Sequence, residues 1–316
     1  MEVWQIVLLI VGSGLLLWAL MEFVVAYFVY RHLLVRTRPE KWSRECSIKD
    51  DDEQKAMYEV SEEWLLSYHH LMQEVKIENE GYALVGEYVD FGFDRSVIII
   101  SGRTEGCHYS YYFAEPYRLA GYNVLVIDNR CHGLSDGKYN ALGLKEYTDI
   151  LAWGRFLHEN HHQNEIVLHG ICIGSATALY ALVSPNCPAY MVGMAADGMY
   201  VHFKESLINH MIEQKRRLFP GKDLIPLWFR ICTGKNMVKG GPIHVIDQLK
   251  KPILFIYSKE DKYSVPEKAQ ILFDACKAPG KRLAWFPRGA HSKVRINNKE
   301  AYDQTVIQFL KETFHR

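Results

Sequence analysis

The chain has 316 residues, with 37 basic and 37 acidic side chains and a formal net charge of zero at pH 7. That balance excludes a strongly basic nucleic-acid binder and an acidic disordered chain. Apolar residues at 48 % and charged residues at 23 % are a globular composition, and a chain this long buries a core without disulfides or metals.

The 7 cysteines form no C-x-x-C pair, and no N-x-[ST] sequon occurs. A disulfide scaffold or a zinc ribbon is therefore not indicated, and a reducing compartment is expected.

Val3 to Tyr30 is almost continuously apolar, interrupted by Gln5, Ser13 and Glu22. A membrane span needs about 20 such residues. A cleaved signal peptide carries its positive charge ahead of the apolar run. Here Arg31, Arg36, Arg38, Lys41 and Arg44 follow it. Residues 1–35 therefore read as an uncleaved anchor with a basic flank. The positive-inside rule places that flank, and the catalytic part behind it, in the cytoplasm. The expectation is a single-pass protein of the cell membrane. Residues 36–80 read as a helical linker region. Within it Ala56, Met57, Val60, Trp64, Leu65, Tyr68, Leu71 and Met72 recur at helical spacing and predict a helix over Asp50–Gln73. Its acidic character favours packing on the catalytic domain over contact with anionic lipid.

From 81 to 316 short apolar runs alternate with helical segments. Strands are predicted at Gly81–Val89, Ser96–Ser101, Asn123–Asp128, Glu165–His169, Ala189–Ala195, Pro252–Ser258 and Arg282–Phe286. Helices are predicted at Tyr109–Leu119, Leu144–Glu159, Ser175–Val183, Pro266–Cys276 and Glu300–Phe314. This alternation gives an α/β fold, a mainly parallel twisted sheet with helices on both faces. Between residues 198 and 249 the alternation lapses into an aromatic-rich helical insertion.

Chemistry-bearing residues gather at four predicted strand ends. Gly170-Ile171-Cys172-Ile173-Gly174 follows a strand and opens a helix, which is the G-x-S-x-G elbow with cysteine in the nucleophile position. The tight turn requires the small residues Gly170 and Gly174. The helix N-terminus behind Cys172 favours a thiolate. His291 follows the last strand, where a general base reaches such an elbow. Asp261 follows the strand ending at Ser258 and is the first candidate to orient the imidazole; Glu260 and Asp197 are alternatives. The loop after the strand at Ser96–Ser101 aims the backbone N–H of Arg103 at a developing oxyanion, with the N–H of Ile173 as second donor.

Other signals carry less. His158-Glu159-Asn160-His161-His162 satisfies H-E-x-x-H, but it falls at a predicted helix end rather than mid-helix in a cleft. No Walker or dinucleotide motif occurs, and Lys215-Arg216-Arg217 reads as a solvated helix face. No metal, cofactor or nucleic acid is expected.

Taken together, SGRTEG, GYNVLVIDNRCHGLSDGKY, LHGICIGSATAL, KPILFIYSKEDKYSVP and GAHS resemble the α/β-hydrolase superfamily from Gly81 to the C-terminus. They are most similar to membrane-anchored bacterial α/β-hydrolases of the serine-aminopeptidase-like group. Asp128, Arg130, His132, Gly133, Ser135 and Gly137 match the family's D-x-R-G-H-G-x-S-x-G, with Cys131 in place of a glycine. The resemblance implies a lid at 198–249 and a triad of Cys172, Asp261 and His291. Three departures stand out. Cys172 replaces a serine, Ser101 replaces the histidine of the oxyanion motif, and the acid loop is one residue longer before Val265-Pro266.

A thiolate is a good leaving group, so thioesters and activated esters suit it better than amides. The expected activity is hydrolysis or acyl transfer on an ester or thioester through an acyl-Cys172 intermediate. The expected substrate is a small acyl compound of hydrophobic, lipid-like character. The competing expectation is a non-catalytic binding protein on the same fold.

Overall fold

A computed structural model describes residues 2–46 and 51–314; Asp50, the predicted start of the second helix, lies outside them. The strands are β1 (Met72–Asn79), β2 (Tyr82–Val89), β3 (Arg95–Ile100), β4 (Asn123–Ile127), β5 (Glu165–Ile171), β6 (Met191–Asp197), β7 (Ile253–Ser258) and β8 (Arg282–Phe286). They form one eight-stranded sheet in the order β1-β2-β4-β3-β5-β6-β7-β8. β2 runs antiparallel to both its neighbours, and the pairings from β4 onward are parallel.

The parallel strands β3 to β7 are buried on both faces, as their apolar runs require, whereas the edge strand β8 is only partly buried. Val97 and Ile99 join Val124, Val126 and Val167 on one side. Ile98 and Ile100 join Leu125, Ile127, Ile166 and Leu168 on the other. The period of two along each strand sorts them. Burying each such side chain stabilises the fold by about 1.5–3 kcal/mol.

Helices cover both faces. In chain order they are α1 (Val3–Leu34), α2 (Asp52–Tyr68), α3 (Cys107–Ser110), α4 (Glu115–Leu119), α5 (Tyr147–His161), α6 (Ile173–Val183), α7 (Phe203–Glu213), α8 (Gly221–Thr233), α9 (Pro266–Ala275), α10 (Val294–Asn297) and α11 (Lys299–Phe314). α7 and α8 are the α-helices of the insertion between β6 and β7 among the described residues.

Three expectations need correction. The sheet starts at Met72, within the expected linker, and Gly81 lies in the hairpin turn rather than in a strand. Glu80 and Gly81 take φ of 50° and 76°, the left-handed pair of a two-residue hairpin loop. β1 is an edge strand whose only buried residue is Val75, so it has little apolar signal to read. Consequently the helix predicted to reach Gln73 stops at Tyr68. The helix predicted over Tyr109–Leu119 is broken into α3, a 3-10 turn and α4. Pro116 sits in the first turn of α4, where its missing N–H costs no hydrogen bond, whereas mid-helix it breaks one.

α1 extends beyond the apolar run. Its first half is exposed, but Ala26, Tyr30 and Leu34 are buried. Trp228 of α8 stacks between Phe23 and Tyr27, with ring centroids 4.4 and 4.8 Å away, and donates Nε1–H to the Phe23 carbonyl at 2.9 Å. The basic flank is pinned as well. Arg36 donates to the carbonyls of Gly133 and Ser135 at 2.7 and 3.1 Å. Arg44 pairs with buried Glu87 and Asp128 at 2.6 and 2.8 Å.

Candidate active site

The chain leaves β3 toward one side of the sheet and β5 toward the other. This reversal opens a crevice at the strands' C-terminal ends, where α/β sheets bind ligands. Cys172 stands there, between β5 and α6. Its backbone takes φ 57° and ψ −116°, a conformation that costs a non-glycine residue of the order of 1–3 kcal/mol. The close packing of the turn holds it. A Cβ on Gly170 would lie 2.3 Å from Ser175 Cα, and one on Gly174 would lie 2.1 Å from the Ile100 carbonyl oxygen. Either would push the helix off the sheet. The Cys172 N–H donates to the Asp197 carbonyl at 2.8 Å.

The loop after β3 passes directly over this turn: a Cβ on Gly102 would lie 3.5 Å from Cys172 Cβ. Among the described residues the backbone N–H groups of Arg103 and Ile173 make no hydrogen bond, so both are free as donors. The Arg103 carbonyl accepts from His132 Nε2 at 2.8 Å. Trp42 stacks on the His132 ring, 4.8 Å between centroids. Nδ1 of the same ring lies 3.1 Å from the Arg130 carbonyl, and burial lowers the His132 pKa. Cys131 before it has φ 66°, a left-handed conformation that favours glycine.

His291 and Asp261 arrive on loops after β8 and β7. Nδ1 of His291 lies 2.8 Å from Asp261 Oδ2. Asp261 Oδ1 accepts the N–H groups of Tyr263 and Ser264 at 2.7 and 2.8 Å. Burial alone would raise the Asp261 pKa, but charge and hydrogen bonding from His291 and these two N–H groups outweigh it and hold the carboxyl below its usual range. Burial opposes a charged His291, yet Asp261 and then Cys172 push its pKa well above the ordinary value.

Of the three acid candidates, Asp261 is the one bonded to the imidazole. Glu260 accepts the Gly289 N–H at 2.9 Å and thereby holds the His291 loop. Asp197 accepts from Tyr302 at 2.8 Å, and burial pushes its pKa up to about 7.

Two nearby residues escaped the sequence reading. The Tyr200 hydroxyl accepts from Cys172 Sγ at 3.1 Å and lies 3.1 Å from His291 Nε2 and 3.3 Å from His210 Nε2. Its ring stacks on His291, 5.1 Å between centroids and 17° between planes. Burial and then Cys172 raise the Tyr200 pKa well above 10. Burial, then the charges of Arg103 and His291, pull His210 down to about 3. Neither residue lies in a matched motif; both come from the insertion, where only an aromatic excess was visible. His158 and His161 of the H-E-x-x-H segment serve packing: His158 stacks on Tyr190 at 4.1 Å, and His161 meets Tyr88 at 4.2 Å.

Beside Cys172 is an apolar cavity of about 50 Å³, lined by Leu33, Leu34, Leu142, Ile173, Tyr200, Phe203, Leu207 and Met237 among others. Leu33 and Leu34 belong to α1, and Arg103 donates to the Leu33 carbonyl at 3.0 Å.

Similar proteins share this architecture. The uncharacterized protein YqkD of Bacillus subtilis (strain 168) is 30 % identical over 236 residues, 73 % of this chain and 76 % of that protein. The uncharacterized membrane protein YNL320W of Saccharomyces cerevisiae (strain ATCC 204508 / S288c) is 24 % identical over 196 residues, 62 % of this chain and 63 % of that one. Among solved structures, the Pyrococcus furiosus esterase Pf2001 superposes with a TM-score of 0.67 at 23 % identity, covering 87 % of this chain and 99 % of its own. The fold, the elbow and the family model matched over residues 108–316 agree: the chain is an α/β-hydrolase and belongs to the prolyl oligopeptidase family.

Proposed function

We propose that this hydrolase is a membrane-anchored enzyme that cleaves an ester or thioester through an acyl-Cys172 intermediate. The observation that carries the reading is the strained turn presenting Cys172 at a helix N-terminus beside the His291–Asp261 pair, 2.8 Å apart. His291 takes the Sγ proton. The thiolate attacks the acyl carbon, and the oxyanion meets the N–H groups of Arg103 and Ile173. Collapse breaks the bond to the alkoxide or thiolate leaving group, which receives the proton from His291 Nε2. Water, deprotonated by the same nitrogen, then attacks the acyl-cysteine and releases the carboxylic acid with the free thiol. Asp261 stabilises the transient imidazolium.

The anchoring half rests on α1, which holds an 18-residue window of mean hydropathy 2.3 and is long and apolar enough to cross a membrane. The yeast relative carries the name of a membrane protein. The basic flank supports a catalytic part on the cytoplasmic side, and the apolar cavity suits a hydrophobic acyl group.

The test uses the full chain, because Ala26, Tyr30 and Leu34 of α1 are buried against the domain. The protein meets p-nitrophenyl esters and acyl thioesters, is quenched, and its intact mass is read. Wild type is expected to gain one acyl group on Cys172. Cys172→Ala is expected to lose adduct and turnover together. His291→Ala is expected to lose at least about 100-fold, the usual contribution of a general base. Turnover that survives Cys172→Ala refutes the acyl-cysteine.

A further inference from the structure

The wall of the nucleophile's cavity includes the end of the apolar helix. Leu33 and Leu34 of α1 face it together with Phe203 and Leu207 of α7. One turn toward the N-terminus of α1 and one turn toward the C-terminus of α7, Val29 and Met211 line a second, larger groove of about 530 Å³. Val25, Ala26 and Ile225 add apolar surface to that groove. The steps Val29 to Leu33 and Met211 to Leu207 are each four residues, so both spaces lie on one α1–α7 seam.

The small cavity holds only a few water-sized volumes, at roughly 10–15 Å³ each. It accommodates the first carbons of an acyl chain; a longer chain must leave it. The groove's rim has the chemistry of a lipid headgroup region. Arg217 pairs with Glu22 of α1 at 2.9 Å. Arg216 is half-buried, lines the groove, and has no ion pair among the described residues. Phe219 stacks on Trp18 at 6.3 Å and is 59 % exposed. Ile212 of α7 and Leu227 and Ile231 of α8 are likewise exposed. Apolar side chains beside arginines, next to a span, are the mark of a surface resting in the membrane interface.

We infer that the acyl chain of a bilayer-resident lipid enters from the cytoplasmic leaflet along the α1–α7 seam, with its acyl carbonyl at Cys172 and its tail in the groove at Val29 and Met211. α1 is then part of the substrate path as well as an anchor. The inference rests on the acyl-cysteine reading and is separable from it.

The full chain is reconstituted in vesicles of phosphatidylcholine and phosphatidylglycerol containing a fluorogenic palmitoyl thioester. Soluble p-nitrophenyl acetate is measured in parallel. Val29→Trp, which narrows the seam away from the reacting atoms, is expected to lower the ratio of long-chain to short-chain turnover by about tenfold or more. An unchanged ratio overturns the seam, even with Cys172→Ala inactive on both probes. Activity of Cys172→Ala on both probes instead overturns the acyl-cysteine reading.

A second measurement does not depend on a variant folding. A palmitoyl chain with a terminal diazirine is loaded on Cys172 of the wild-type protein and photolysed. Adducts in the peptides containing Val29 or Met211 support the path. Adducts confined to other elements refute it.

Discussion

At the scale of single residues, the hydroxyl of Tyr200 has the most to reveal. It touches the sulfur and the imidazole at 3.1 Å each. With His291 neutral, the thiol donates to Tyr200 and Tyr200 donates to Nε2. With His291 charged, both bonds reverse and the hydroxyl donates to the thiolate. Asp261 and His210 also face this cluster, and Asp197 and Arg103 stand behind it. Asp261 is the carboxylate bonded to the imidazole, whereas burial pushes the pKa of Asp197 up to about 7. Hydrogen bonds to charged groups contribute about 1.5–3 kcal/mol. Tyr200→Phe, which removes one oxygen and keeps the ring stack, should therefore slow alkylation of Cys172 by iodoacetamide at pH 6 about tenfold. An unchanged alkylation profile would show that the hydroxyl merely fills space. The motif residues were legible here because local backbone sterics dictate them. Tyr200 and His210 were not, because nothing within a few residues of either requires its side chain.

At the scale of elements, α1 and α8 form an unforeseen pair. The sequence marks α1 as apolar all round, which predicts no preferred face. The structure selects one through Trp228, whose ring and N–H engage Phe23 and Tyr27. Trp228→Ala removes that contact and its hydrogen bond, at a cost of about 2 kcal/mol. Amide exchange in α8 should rise as a result, with β5 and α6 staying protected. Equal exchange in α8 of both proteins would mean that other contacts hold the helix. The edge strand β1 teaches a related lesson. It pairs along its whole length with β2, yet buries only Val75. Backbone hydrogen bonding makes it a strand, and that leaves little trace in side-chain periodicity.

At the scale of the whole molecule, stability depends on groups that folding strips of water. His169 on β5 is fully buried beside Tyr117, and burial, then the charge of Arg295, lower its pKa to about 3. The folded state keeps this ring neutral, whereas the unfolded chain takes up a proton near pH 6.5. Stability is therefore present above pH 6.5 and falls between there and about pH 3, by about 2 kcal/mol from pH 7 to pH 5. His291 has the opposite sign: its raised pKa contributes below pH 6.5 and is lost as pH climbs through the folded value. His169→Gln should flatten the fall of the urea midpoint between pH 7 and 5. A midpoint that falls as steeply in the variant would assign the acid sensitivity to other groups.

The sequence alone determined the strand–turn–helix carrying Cys172, the alternating α/β frame and the apolar N-terminal run. Each of these is set by backbone sterics or burial periodicity within a short stretch of chain. Tertiary structure decided which carboxylate meets His291, that Tyr200 lies between the sulfur and the imidazole, and that Leu33 and Leu34 at the end of α1 line the cavity beside them. Those choices join residues far apart in the chain, and packing and desolvation select them only once the sheet has brought the loops together.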